Sequence, residues 1–434
     1  MPRFLKSADR VPLATDPEIA KRVAEILRDV KKRGAKAVRE YSERFDSWSP
    51  ERFTLSEKEI ERSTAAVPRE LRDHIDRAAE QIATFAKAQR GTLEDLEIEP
   101  APGVTLGHRF VAVSSVGAYS PGGRYPLIAS SLMTTVVPKV AGVERVIACA
   151  PPLSPEGIAP AMVYAMATGG ADEILCIGGA QGLAALAYGI EDIDPTEMVI
   201  GAGNAYVAEA KRQLFGQVGI DLLAGPTEIL VIADGAADPF IVAVDLLSQA
   251  EHGPDSPAIL ITDSEPLARR AMEFVDELLV DMPTRDYAAP AWRDHGVVVL
   301  VADMAEAFTL ADSYAAEHVQ VLTSSPRDAL SAMSNYGALF LGEGTCVSYG
   351  DKVIGTNHTL PTRGAARYTG GLWVGKYLKT VTYQEVTSQA ASVELGRLCG
   401  RAARVELFEG HARSGDVRAH KYAGDPLPWA PPGR

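Results

Sequence analysis

In Glu228-Ile229-Leu230-Val231-Ile232-Ala233 the five residues after the glutamate form an unbroken apolar run, and Pro239 to Ala250 behind it has the length and composition of a helix. Ala258-Ile259-Leu260-Ile261 then starts another apolar run. Strand, helix, strand is the unit that builds a parallel sheet covered by helices. The unit recurs outward in both directions. Upstream, Arg145–Cys149 precedes Ile158–Ala167, Glu173–Ile177 precedes Gly182–Tyr188, and Met198–Ile200 precedes Ala205–Phe215. Downstream come Glu265–Leu279, Gly296–Val301 and Ala305–Ala316. This is too many units for one doubly wound sheet, so the rhythm predicts an α/β protein with two Rossmann-like α/β domains. The expected division is 1–16 as an N-terminal segment, 17–118 with 229–314 as the first domain, 119–228 with 315–367 as the second, and 368–434 as a helical tail. The amphipathic stretches Asp16–Lys32, Ser56–Arg62 and Pro68–Arg90 carry no evident chemistry and read as solvated helices.

Composition excludes some functions. The 434 residues are 46% hydrophobic and 23% charged, ordinary for a soluble globular chain. A net charge of −14 argues against nucleic acid or an anionic membrane as the main partner. No apolar run approaches the roughly 18 residues of a membrane span, and the polar stretch Met1–Asp16 does not resemble a secretory leader. The four cysteines, Cys149, Cys176, Cys346 and Cys399, show no paired spacing. A reducing, cytoplasmic compartment is expected.

The helical run ending at Ala250 continues into Ser248-Gln249-Ala250-Glu251-His252-Gly253-Pro254-Asp255. If the helix continued, Gln249 and His252 would share a face and could offer an amide oxygen and an imidazole to a metal. A polar helix end with a stray His reads the same. Three glycine turns follow strands: Tyr119-Ser-Pro-Gly-Gly-Arg124, Ile177-Gly-Gly-Ala-Gln181-Gly, and Gly201-Ala-Gly-Asn204. None carries the dinucleotide fingerprint, and each alone is an ordinary packing turn, but three together suggest a cleft for a nucleotide-like ligand. Arg124 suits an oxyanion. Thr227, in Ala224-Gly-Pro-Thr-Glu228, is either a substrate contact or a turn hydroxyl. Glu317 and His318 are adjacent proton-transfer groups, or a capped helix end. Asp351 and His358 lie in a polar, loop-like stretch, Gly350–Thr362. In the tail, Glu409, His411 and His420 read as surface by default. His74, His108 and His295 have no constellation around them.

These segments, in this order, resemble the histidinol dehydrogenase family across most of the chain. The Gln-Ala-Glu-His-Gly-Pro-Asp core, 249–255, is the most specific of them. The resemblance implies a zinc- and NAD-dependent homodimer of two α/β domains whose tails are exchanged between subunits. It implies zinc ligands at Gln249, His252 and Asp351, completed by a tail His from the partner; His411 fits best by its context, with His420 as the alternative. It implies NAD contacts at Tyr119, Gln181 and Asn204, catalysis by Glu317 and His318, and substrate contacts at His358, Thr227 and Glu409 beside the metal ligands. The chain departs from the family at Val347, where a Glu is usual, and at Thr227, where a Ser is usual. With Gly355–Thr362 and Tyr368–Lys376, these departures resemble a branch that oxidises (R)-2,3-dihydroxypropane-1-sulfonate to (R)-sulfolactate. The expected substrate is therefore a small anionic polyol, with Arg124, or else Lys376, as its anchor. The rivals are histidinol oxidation, oxidation of another polyol or amino alcohol, and a non-catalytic ligand-binding protein.

Overall fold

A computed structural model describes residues 2–8, 17–123, 125–191 and 193–431. Contacts divide the chain into two units, Met1–Arg90 with Val113–Tyr377, and Gly91–Ala112 with Leu378–Arg434. The first unit holds two α/β sheets. Arg124 falls outside the described residues.

The six-stranded sheet runs Arg3–Lys6, Gly296–Leu300, Ala258–Thr262, Ile229–Ala233, His318–Leu322, Ala338–Leu341. All its neighbours are parallel except the edge strand Arg3–Lys6, which is antiparallel. Ile229–Ala233 is buried throughout and feeds two cores. Ile229, Val231 and Ala233 pack with Val242, Leu246 and Val275, while Leu230 and Ile232 pack with Phe308, Ala311 and Met333. A two-residue side-chain period set between helices on both faces explains why this run is apolar without alternation.

The five-stranded sheet is wholly parallel, in the order Glu173–Cys176, Arg145–Ala150, Ser115–Tyr119, Met198–Ile200, Gly219–Ile220. Helices Pro17–Arg33 and Ala35–Asp46 press Val23, Ile26, Leu27, Val30 and Val38 onto Leu183, Leu186 and Val207 of its helical layer.

These sheets correct the expected division. His318–Leu322 and Ala338–Leu341 join the sheet of 229–300, not the one built from 119–228. Helices 17–46 pack with the five-stranded sheet, not with 229–314. The cause is topological. After Gly296–Leu300 the chain returns to the far side of Ile229–Ala233, a non-local pairing that strand rhythm does not reveal.

The second unit is a three-stranded antiparallel sheet, Leu378–Val386 beside Val104–Ala112 beside Leu96–Ala101, with helices Gln389–Val405 and Glu409–Ala423. The tail is therefore not all helical, because Leu378–Val386 pairs with Val104–Ala112 along its whole length.

Candidate active site

Open parallel sheets bind ligands beyond their carboxyl edge, where strand order reverses. In the five-stranded sheet that reversal lies between Ser115–Tyr119 and Met198–Ile200. The turns carrying Tyr119, Gln181 and Asn204 leave this edge. They face a cavity of about 1370 Å³, whose other end is formed at the amino edge of the six-stranded sheet. There Thr227 and Glu228 precede one strand, and Glu317 and His318 open the next. Helix Pro239–Ala250 and the short helix Val347–Lys352 run back to the same edge.

The local conformations differ from those expected in three places. Helix Pro239–Ala250 stops at Ala250, so His252 lies in the following turn, its N–H donating to the Gln249 carbonyl at 3.2 Å. Glu317 and His318 are not a helix end: the helix closes at Tyr314, Ala315 turns left-handed at φ 52°, and His318 begins a strand. Asp351 sits on helix Val347–Lys352 rather than in a loop.

At the metal-like end the side chains interlock. Glu317 Oε2 accepts the Thr227 hydroxyl at 2.6 Å and the Glu228 N–H at 3.0 Å. Thr227 Oγ1 also lies 3.2 Å from Gln249 Oε1. His318 Nδ1 faces the Glu228 carbonyl at 3.0 Å, so Nδ1 carries a proton and donates there, and Nε2 is the nitrogen that gains or loses the second proton. That Nε2 is buried without a hydrogen-bond partner and lies 4.0 Å from Asp351 Oδ1. His358 Nδ1 is 3.8 Å from the same carboxylate oxygen, and its Nε2 meets Ser130 Oγ at 2.8 Å. Gln249 is buried behind Thr227, while His252 opens onto the cavity.

The electrostatics follow from this packing. Burial lowers the basicity of His252 and His358, and the Asp351 charge opposes it at both. Both rings are thus neutral, the form that ligates metal. Burial also pulls His318 down, but the Glu317 and Asp351 carboxylates outweigh it and carry it up to about 9. Burial, then the Glu317 charge, pushes Glu228 up to about 7.

The donor types of Gln249, His252 and Asp351 suit a zinc ion, and His318 Nε2 lies 4.0 Å from Asp351 Oδ1. Among the described residues no cluster of three His, Cys, Asp or Glu side chains could hold a metal, so a further ligand is needed. At the other end Gly122, Gly123, Gly179 and Gly203 line the wall, as close backbone approach to a nucleotide requires. The Tyr119 hydroxyl accepts the Gly179 N–H at 3.2 Å, and Asn204 caps helix Ala205–Leu214.

Several wall residues gave no sequence signal. Arg22, Tyr41, Arg44, Phe45 and Asp46 come from helices that read as plain solvated surface, yet they line this cavity, and Asp46 accepts a hydrogen bond from Gln181. Glu228 takes the backbone N–H groups of Glu317 and Arg363 on one carboxylate oxygen. Its place beside Thr227 was the only hint. Lys376 does not line the cavity; its amine donates to Thr369 Oγ1 at 2.6 Å. In the second unit His411 is exposed with its ring against Phe408, Glu409 pairs with Arg404 and Arg413, and His420 Nδ1 meets the Asp425 carbonyl at 2.7 Å.

The family model of histidinol dehydrogenase matches residues 10–419. A histidinol dehydrogenase homolog of Shouchella clausii is 54% identical over 93% of this chain and 95% of its own. The sulfopropanediol 3-dehydrogenase of Ruegeria pomeroyi is 45% identical over 97% of each chain. The crystal structure of histidinol dehydrogenase from Elizabethkingia anophelis matches at a TM-score of 0.89 and 31% identity, covering 95% of this chain and 94% of that one. The chain belongs to the histidinol dehydrogenase family and is a dehydrogenase acting on CH–OH groups.

Proposed function

We propose that this protein is a zinc-dependent, NAD-linked dehydrogenase that oxidises (R)-2,3-dihydroxypropane-1-sulfonate to (R)-sulfolactate in two two-electron steps. The observation that carries the chemistry is the convergence of Thr227, His252, Glu317, His318, Asp351 and His358 on one end of a cavity lined at its other end by glycine turns. When bound, zinc polarises the substrate alcohol and NAD accepts a hydride in each oxidation. Gln249, His252 and Asp351 would hold the metal, and Tyr119, Gln181 and Asn204 would border the nucleotide.

The protein's own side chains handle the protons. With the Asp351 charge taken up by a metal ion, the His318 ring would be neutral and its Nε2 would accept the alcohol proton in the first oxidation, which leaves an aldehyde. Glu317 draws a proton from the water that adds to the aldehyde, and the hydrate is then oxidised to the carboxylate. Thr227 and the Glu228 N–H hold the Glu317 carboxylate in place for this step. Support for the sulfonate comes from the full-length similarity to the Ruegeria enzyme and from Val347, buried and apolar where the family usually carries a carboxylate. Histidinol is the second reading, because histidinol dehydrogenase 1 of Trichormus variabilis is 44% identical over 92% of each chain.

The partner in this proposal is a second copy of the chain. The tail displays Val405, Leu407 and Phe408, the first two 86% and 90% exposed, and such apolar surface favours an intersubunit contact. His411, exposed in the tail, is the candidate for the completing zinc ligand, and His420, whose Nδ1 is held by the Asp425 carbonyl and whose Nε2 stays available, is the alternative. Parallel NAD-reduction assays decide the substrate. Turnover of the sulfonated diol without turnover of histidinol supports the proposal, and the reverse result overturns it.

A further inference from the structure

An anionic substrate needs a cation at the metal-like end of the cavity, and few are available there. Among the described residues, Arg22, Arg44 and Lys352 are the basic side chains that line the cavity. The two arginines belong to the other end: Arg22 reaches the Tyr206 hydroxyl and Arg44 lies over the Phe45 ring. Arg363 lies behind the Gly225 backbone and is not on the wall. Lys376 is taken by Thr369. Lys352 differs from all of these. It closes helix Val347–Lys352 next to Asp351, its side chain is exposed, and it makes no hydrogen bond or ion pair among the described residues. It stays unpaired although Glu251, Asp255 and Asp351 share the same wall.

We propose that Lys352 anchors the anionic end of the substrate, a sulfonate or carboxylate on a short diol whose hydroxyl lies at the metal. This rests on the functional reading above and deepens it. A lysine is a mobile point charge on a long stem, able to pair with a tetrahedral sulfonate without a fixed bidentate geometry. Because the group is exposed, the contact is screened by salt. It therefore contributes to substrate affinity and charge selection more than to the chemical step.

The test uses three compounds that share one propanediol skeleton and differ in the charge of the third substituent, with the zinc-loaded protein: 2,3-dihydroxypropane-1-sulfonate, glycerol and 3-amino-1,2-propanediol. For Lys352→Ala, the sulfonate-to-glycerol ratio of kcat/KM should fall by about tenfold or more, chiefly through KM. Lys352→Arg should restore most of the ratio, and Lys352→Glu should shift preference toward the ammonium diol. Calorimetric binding of the sulfonate diol without NAD should weaken by a similar factor, and the wild-type KM for it should rise with ionic strength while that of Lys352→Ala stays flat. Wild-type turnover of the sulfonate with an unchanged ratio in Lys352→Ala overturns the anchor alone. A wild type that oxidises histidinol and not the sulfonate overturns the functional reading and the anchor with it.

Discussion

His318 shows how one backbone group can set the chemistry of a side chain. The Glu228 carbonyl fixes a proton on Nδ1, so the proton that His318 exchanges is the one on Nε2, which is buried beside Asp351. His318→Asn should lower kcat by about 10²- to 10⁴-fold while zinc content, read by elemental analysis, stays at the wild-type level. Loss of zinc would make His318 a ligand instead of a base. A second buried group makes a prediction about pH. Burial pushes the Asp245 carboxyl up to about 6, against the Gln320 amide that favours its ionised form. The folded state holds this proton more tightly than the unfolded chain, whose carboxyl titrates near ~3.9. That stabilisation is complete below the unfolded value and is lost as pH rises through about 6. Asp245→Asn stays neutral throughout, so its stability should exceed the wild type's by a margin that grows between about pH 5 and pH 7.5, up to about 2 kcal/mol. Denaturant melts at both pH values check this, and a constant margin would point to packing instead. The residues alone left Glu317 and His318 open between a proton-transfer pair and a capped helix end, and the helix end is excluded because the helix closes at Tyr314. Asp245 was not legible in the sequence, since an acidic residue in a helix reads as solvated until the sheet beneath it is known.

Among the elements, the turn at Gly201 depends most on its supports. Gly201 has φ 112°, and a Cβ there would lie 1.9 Å from the Tyr119 carbonyl oxygen. A fully buried pair holds both ends of its peptide. Lys211 Nζ donates to the Gly201 carbonyl at 2.7 Å, Asp221 Oδ2 accepts its N–H at 2.9 Å, and the two side chains are ion-paired with each other. Lys211→Met leaves Asp221 as an unpaired buried charge and should cost about 3–5 kcal/mol in chemical denaturation. In whatever fraction remains folded, NAD should bind more weakly, because the turn that carries Asn204 loses its clamp. Unaltered NAD affinity in that folded fraction would separate the clamp from the cofactor site. The glycine turns could be found from sequence because Gly after an apolar run is a local signal. The clamp could not, because Lys211 in an amphipathic helix looks like any solvated lysine. The same non-local logic hid the pairing of Leu378–Val386 with Val104–Ala112 and the return of His318–Leu322 to the central sheet.

For the whole molecule, the proposed dimer with exchanged tails would make each site a joint product of two chains. His411→Ala and His318→Asn should each be inactive alone. Unfolded together in equal amounts and refolded as a mixture, they should recover about a quarter of wild-type activity, because half of the dimers carry one intact site of two. Recovery of nothing from a mixture that sediments as dimers would place both residues in the same chain's site. Family membership and the α/β plan were readable along most of the chain, whereas the expectation of exchanged tails came only through resemblance, since no local pattern records which copy would supply a tail. The meeting of a carboxyl edge with an amino edge has a further consequence. Helices Gly179–Tyr188 and Ala205–Leu214 begin at the glycine turns, so their N-termini, with partial positive charge, are at that end of the cavity. Helix Pro239–Ala250 finishes at the opposite end and brings its negative terminus toward His252. The backbone alone therefore gives the cleft a dipolar axis, positive at the glycine-turn end and negative at the His252 end, so the proposed dinucleotide and metal ion would be drawn to opposite poles before any side chain chose between them.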